Sequence, residues 1–192
     1  MPKNIDIQHS ILIVSSSGQF DSIVKSSLKG FSTVENRKTG ALARRAILER
    51  YFDVIVIDSP LPDETGEELA MDAAEKSNAS ILLVCPRDSF EEVLDRVTDS
   101  GILVVYKPFP RGRIDKAIRL LCASQTRIRE LEMKIGALED KMEELRIVSR
   151  AKITLIEKKN MSEDEAHRFI GKFAMDNGIS RGRAASLILE DI

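Results

Sequence analysis

Val54-Ile55-Val56-Ile57-Asp58-Ser59-Pro60-Leu61-Pro62-Asp63-Glu64-Thr65-Gly66 is the stretch from which the fold can be read. Four β-branched residues in a row, cut off by Asp58 and a Pro- and Gly-bearing loop, predict a short strand buried on both faces. Similar runs lie on either side: Ile11 to Val14, Ile81 to Val84, Ile102 to Tyr106, and a weaker one near Phe31 to Glu35. Helical patterns fill the gaps. One starts at about Phe20 and carries Ile23, Val24 and Leu28; another follows a Thr39 cap and carries Leu42, Ala43, Ala46, Ile47 and Tyr51. A further helix is predicted over Ser89 to Asp99. Five apolar strands spaced by helices predict an α/β doubly wound parallel sheet over residues 8–120. In such sheets the chemistry lies beyond the carboxyl ends of the strands, here Ser15 and Ser16, Asp58, Cys85 and Lys107.

The composition sets limits on this reading. The chain has 192 residues, 43% apolar and 31% charged, enough for one medium and one small domain. The apolar runs fall far short of the roughly 20 residues that span a bilayer. The start, MPKNIDIQHS, has no apolar signal core, so a cytoplasmic protein with no membrane partner is expected. Cys85 and Cys122 form no framework, and the two histidines form no zinc constellation, so reduced thiols and no metal are expected.

A long helix begins at Arg111. Leu121, Ile128, Leu131, Ile135, Leu138, Met142 and Leu145 occupy a and d heptad positions, with Ser124 at the intervening d. In a parallel dimer Arg127 would face Glu132 and Lys134 would face Glu139, both attractive, while Lys141 against Arg146 repels where the helices diverge. Residues 121–145 therefore read as a coiled-coil linker; the competing reading is an amphipathic helix packed on its own domain. Residues 146–192 hold nine Lys/Arg and seven Asp/Glu, against 20 and 24 in the rest of the chain. Ser162 and Glu165 form a capping box. Ala166, Phe169, Ile170, Phe173 and Ala174 make one apolar face, on which both phenylalanines read as core. Asn177-Gly178 ends that helix. Ser180 caps a last helix bearing Ala184, Leu187 and Ile188. With Val148, Ala151 and Leu155 these predict a small three-helix bundle.

An Asp at the end of the third strand and Lys107-Pro108-Phe109 after the fifth resemble the receiver domain of bacterial two-component response regulators, over about residues 8–120. The resemblance implies that Asp58 is a phospho-acceptor, that Lys107 pairs with the phosphoryl group, and that a sensor protein is a partner. The departures matter as much. Receivers usually carry an acidic pair after the first strand, where this chain has Ser15 and Ser16. Two hydroxyls bring no charge to Mg²⁺, so Mg²⁺ binding is expected to be weak or absent and the receiver degenerate for Mg²⁺-dependent phosphorylation. The usual Ser/Thr switch position is Cys85, and the switch aromatic is replaced by Val104, with Tyr106 nearby. The plainer reading of Asp58 is a retained acid in an ion pair with Lys107.

Arg150-Ala151-Lys152, Leu155-Ile156, Met161 to Arg168, Ala174-Met175, Ala185 and Ile188 resemble the ANTAR domain over about residues 140–192. Ile153 stands where that family usually has Gly, and His167 where it has an aromatic residue. The resemblance implies an RNA-binding antiterminator that engages paired hairpins in leader transcripts, as a homodimer through the coiled coil. Candidate RNA contacts are Arg150, Lys152, His167, Arg168, Lys172, Arg181 and Arg183; for each cation taken singly the alternative is a solvated surface charge. His167 could equally stack on a base or pack on the surface. No enzymatic activity is expected. The alternatives are a DNA-binding response regulator, against which Leu189-Glu190-Asp191 argues, and a protein-interaction adaptor.

Overall fold

The computed structural model describes residues 9–28 and 33–191. The chain divides into two compact units, Met1–Arg129 and Glu130–Ile192. In the first, β1 (Ser10–Val14), β2 (Thr33–Arg37), β3 (Val54–Asp58), β4 (Ser80–Pro86) and β5 (Leu103–Lys107) form one parallel sheet in the order β2-β1-β3-β4-β5. Between them lie α1 (Gly18–Ser27), α2 (Gly40–Glu49), α3 (Glu67–Lys76) and α4 (Phe90–Val97), and α5 (Arg111–Lys159) follows β5. Phe31, placed near a strand by the sequence, lies outside the described residues. The helix expected over Ser89 to Asp99 is α4 flanked by single 3-10 turns, Arg87–Ser89 and Thr98–Ser100.

Period-two alternation explains why the strands are apolar throughout. Leu12, Ile55, Ile57 and Leu83 face Ala43 and Ala46 of α2, Leu69 and Ala73 of α3 and Val93 of α4. Ile11, Ile13, Val54, Val56, Leu82 and Val84 face Phe20 and Val24 of α1 and Ile114, Ile118 and Cys122 of α5. Each fully buried Leu or Ile contributes roughly 1.5–3 kcal/mol relative to exposure. Ser17 and Thr39 cap α1 and α2, accepting from Phe20 N and Leu42 N at 3.2 and 3.3 Å. The expected apolar face of α2 is corrected in part. Its buried stripe is Gly40, Ala43 and Ala46, with Ile47 packed beside it, whereas Leu42 is 50% exposed. Tyr51, 51% exposed, lies beyond the C-cap Arg50. The sheet takes a narrow stripe of small residues, and Leu42 falls at its margin.

In the second unit the end of α5 packs with α6 (Glu163–Asn177) and α7 (Arg181–Asp191). Its core is Ala151, Leu155, Ala166, Ile170, Ala174, Ala184, Ala185 and Ile188, and its five alanines let the helices approach closely. The Ser162 capping box is complete: Ser162 Oγ accepts from Glu165 N, and the Glu165 carboxylate accepts from Ser162 N at 2.8 Å. Gly178, at φ 62°, closes α6 in the left-handed region that glycine tolerates. Ser180 Oγ accepts from Arg183 N at 3.2 Å and opens α7. Glu144 of α5 also accepts from Gly182 N, at 3.0 Å, placing a carboxylate at the positive end of α7.

Phe173 packs against this core as expected, but Phe169 does not share it. Phe169 is 42% exposed while Ile170 beside it is 1% exposed. The core stripe of α6 runs through Ala166, Ile170 and Ala174 at strict four-residue spacing, which leaves Phe169 at the rim. Among the described residues no helix is long and apolar enough to cross a membrane.

Candidate functional site

Asp58 ends β3 and is 6% exposed. Ser15, just past β1 and 1% exposed, donates its hydroxyl to Asp58 Oδ2 at 2.8 Å. Ser17 N donates to that same Ser15 hydroxyl at 3.0 Å, which fixes its orientation. Lys107 reaches across from the end of β5, pairs with Asp58 Oδ1 and donates to the Ser59 carbonyl at 2.7 Å. Parallel strand ends bring Ser15, Asp58 and Lys107 together; Ser16 is exposed to solvent. The two serines that the sequence treats as a pair therefore have different surroundings.

The Asp58 carboxylate is thus engaged on both oxygens, by a hydroxyl and by an ammonium group. Among the described residues no three His, Cys, Asp or Glu side chains form a cluster able to hold a metal ion. Asp21, in the first turn of α1, feels the Asp58 charge, but burial first of all raises its carboxyl above the usual range. The two residues directly after β1, Ser15 and Ser16, carry hydroxyls where Mg²⁺ favours carboxylates.

Cys85 is fully buried in β4, and burial pushes its thiol pKa up, so it is a packed apolar group. Val104 is 8% exposed in the core. Tyr106, paired in register with Cys85, stands edge-on to Phe90 at 5.1 Å. The guanidinium carbons of Arg87 and Arg113 lie 5.2 and 5.1 Å from its ring centroid.

A second polar cluster, which the sequence reading missed, lies at the opposite end of the sheet. Asp53 is completely buried; its Oδ2 accepts from Ser10 N at 2.7 Å and its Oδ1 pairs with Arg129 of α5. His9 Nδ1 lies 3.8 Å from Asp53 Oδ2. The Arg129 guanidinium also covers the Tyr51 ring at 5.6 Å. One turn earlier Gln125, 1% exposed, donates to the Asn78 carbonyl at 2.6 Å and to Ser80 Oγ at 3.0 Å. The available signal was polar residues continuing the Ile114–Ile118–Cys122 stripe at helical spacing. Leu121, counted in the heptad seam, is partly buried against this domain's core. The later seam residues, Ile128, Leu131, Ile135, Leu138, Met142 and Leu145, are 39 to 62% exposed on the single chain.

The basic candidates of the second unit separate into groups. Lys152 is half-buried and pairs with Glu163 at 2.7 Å, an ion pair that holds the Glu163 carboxyl below its usual range. Arg168 and Lys172 are exposed and line one cleft of about 470 Å³ together with Lys159, Phe169 and Met161. Arg181 reaches toward Gly171, its guanidinium 3.9 Å from where a Cβ would stand. Arg150 and Arg183 are exposed on α5 and α7, and His167 is exposed on α6.

Comparison with known proteins agrees with both halves of the chain. The family profile described as the ANTAR domain matches residues 136–189. The transcriptional regulatory protein PdtaR of Mycobacterium tuberculosis is 30% identical over 141 residues, which cover 73% of this chain and 68% of PdtaR. The receiver domain of the TMAO respiratory system response regulator TorR superimposes with a TM-score of 0.52 at 27% identity, over 60% of this chain and 98% of TorR's receiver chain. A CheY-like receiver domain protein from Methanospirillum hungatei gives 0.57 at 22% identity, over 62% and 98%, a likeness of fold alone. A five-stranded receiver fold, an ANTAR match over residues 136–189 and a 30% identical relative aligned over 73% of the chain together mean that this chain belongs to the ANTAR response regulators.

Proposed function

We propose that this chain is an RNA-binding transcription antitermination regulator that engages paired hairpins in leader transcripts as a coiled-coil dimer. The observation that carries the reading is that α5 has two apolar stripes, one buried and one exposed. Ala151 and Leu155, with Val148 beside them, close the bundle, whereas Leu131, Ile135, Leu138, Met142 and Leu145 keep a heptad spacing and remain exposed. Joining two copies along that seam would give each dimer two bundles. Two linked sites raise the effective concentration of the second hairpin once the first is bound, so a weak single contact suffices. Arg150, Lys152, His167, Arg168, Lys172, Arg181 and Arg183 supply the cations and the imidazole for RNA contact. Lys152 would have to exchange Glu163 for phosphate, which makes it the costliest of the set.

The first domain acts in this reading without Mg²⁺-dependent phosphorylation. Asp58 is already paired with Lys107 and bonded by Ser15, and the positions after β1 bring hydroxyls instead of carboxylates. A partner such as a sensor protein would then act on the receiver surface rather than through phosphate.

A mobility-shift assay with tandem-hairpin RNA, single-hairpin RNA and duplex DNA across a salt series tests the function. Tighter binding of the tandem RNA, lost in Leu131→Asp together with the dimer, is expected. Equal affinity for all three polyanions would overturn the reading, and preference for duplex DNA would favour a DNA-binding regulator. Incubation with a small phosphodonor and Mg²⁺ tests the receiver; stoichiometric labelling of Asp58 contradicts a degenerate site.

A further inference from the structure

We infer that Phe169 is a base-stacking platform for an unpaired nucleobase of a hairpin loop, with Lys159, Arg168 and Lys172 holding the phosphates on either side; this rests on the RNA-binding reading above. Phenylalanine has no polar atom to justify exposure, yet this ring is 42% exposed on a helix whose core stripe lies one residue away. It is not an isolated surface residue. It lines the cleft of about 470 Å³ with three cations, and also an adjoining one of about 320 Å³ shared with Phe173 and Leu187.

The cations converge from two helices. Lys159 is the last residue of α5, while Arg168 and Lys172 lie one turn apart on α6, before and after Phe169. Glu165 also lines the cleft, but its carboxylate accepts both the backbone N–H and the hydroxyl of Ser162 at 2.8 Å, so the capping box engages it. Asp191 lines the adjoining cleft, so the cations outnumber the acids only on the Arg168–Lys172 side; an apolar π-face flanked there by three cations matches a nucleotide, in which a flat base is joined to anionic phosphates. A protein anchor would need the apolar face but not the three cations. Single-stranded loops expose such bases, whereas paired stems hide them, so the platform gives the loop and not the stem its role in recognition.

The full chain is tested against tandem stem-loop RNAs selected from a pool with randomised loops, then resynthesised with 5-iodouridine at each loop position in turn. Photo-crosslinks are expected at Phe169, mapped by mass spectrometry of the linked peptide. Phe169→Leu keeps an apolar side chain at the rim, and its helical content is checked by circular dichroism. It is expected to weaken binding about tenfold, with the slope of affinity against salt unchanged, because stacking releases no counterions. Phe169→Tyr is expected to restore affinity. The pair Arg168→Gln, Lys172→Gln is expected to lower the salt slope. Wild-type affinity in a folded Phe169→Leu, or crosslinks mapping only to other residues, overturns the platform and leaves RNA binding standing. Failure of the wild-type chain to select any hairpin overturns both.

Discussion

Two buried aspartates bracket the same strand, and their chemistry is nearly parallel. Asp53 precedes β3 and Asp58 ends it. Each is bonded through a serine, by Ser10 N or Ser15 Oγ, and each is paired with a cation, Arg129 or Lys107. They differ in what the cation belongs to. Lys107 ends β5, two strands away in the same sheet, so its pair closes the rim of the sheet across the end of β4. Arg129 lies far along α5, so its pair fastens that helix to the base of the sheet beyond the apolar contact at Cys122. Asp53 is 0% exposed, with Gln125 and His9 beside it, and Asp58 is 6% exposed, while the two cations are exposed alike, Arg129 at 31% and Lys107 at 34%. The same ion-pair chemistry thus fastens a helix at one end of the sheet and forms the candidate site at the other.

The largest expected effect breaks the anchor. Asp53→Ala removes a fully buried carboxylate that accepts from Ser10 N and pairs with Arg129, and should cost about 2–3 kcal/mol in urea unfolding. Hydrogen exchange over residues 122–129 should rise with it. Asp58→Ala should cost clearly less, since Lys107 and Asp58 join strands that the sheet already holds, whereas the Arg129 pair fastens a helix; an equal or larger loss would defeat the contrast. Next, Gln125→Ala leaves the Asn78 carbonyl and Ser80 hydroxyl without their donor, for about 1–2 kcal/mol in the same measurement. At the other end Ser15→Ala removes one bond to Asp58, worth about 1 kcal/mol.

The smallest effect is in pH. Burial first of all lowers the His9 pKa below its ordinary 6.5; Asp53 opposes this, and Arg129 adds to it. The unfolded chain therefore takes up this proton at a higher pH than the folded one. Stability should fall as pH drops below 6.5 toward the folded value, and His9→Gln should flatten that part of the profile, read as the urea midpoint. A midpoint that rises on acidification, and does so only with His9 present, would reverse the assignment.

The strands and their order of alternation with helices were legible because an unbroken β-branched run such as Val54 to Ile57 has few other ways to be buried. Caps at Thr39, Ser162 and Gly178 were legible because their chemistry is local. Asp58 and Lys107 stood out because each follows a strand. Asp53 did not, although it adjoins the same strand: its meaning depends on Arg129, which is 76 positions away in sequence. Leu42 and Phe169 were placed in apolar faces by spacing alone, and spacing fixes an angle on a helix without saying how far the neighbouring element extends.

By itself the sequence determined the layers, the helix ends, the heptad spacing of α5 and the slight basic excess of residues 146–192, all of which follow from side-chain pattern within the segment itself. Tertiary structure alone decided that Ser15 and not Ser16 meets Asp58, that Arg129 is an anchor, that Lys152 is already paired, and that Phe169 stands open among three cations. These depend on which distant groups come within bonding distance, and therefore on how whole elements pack.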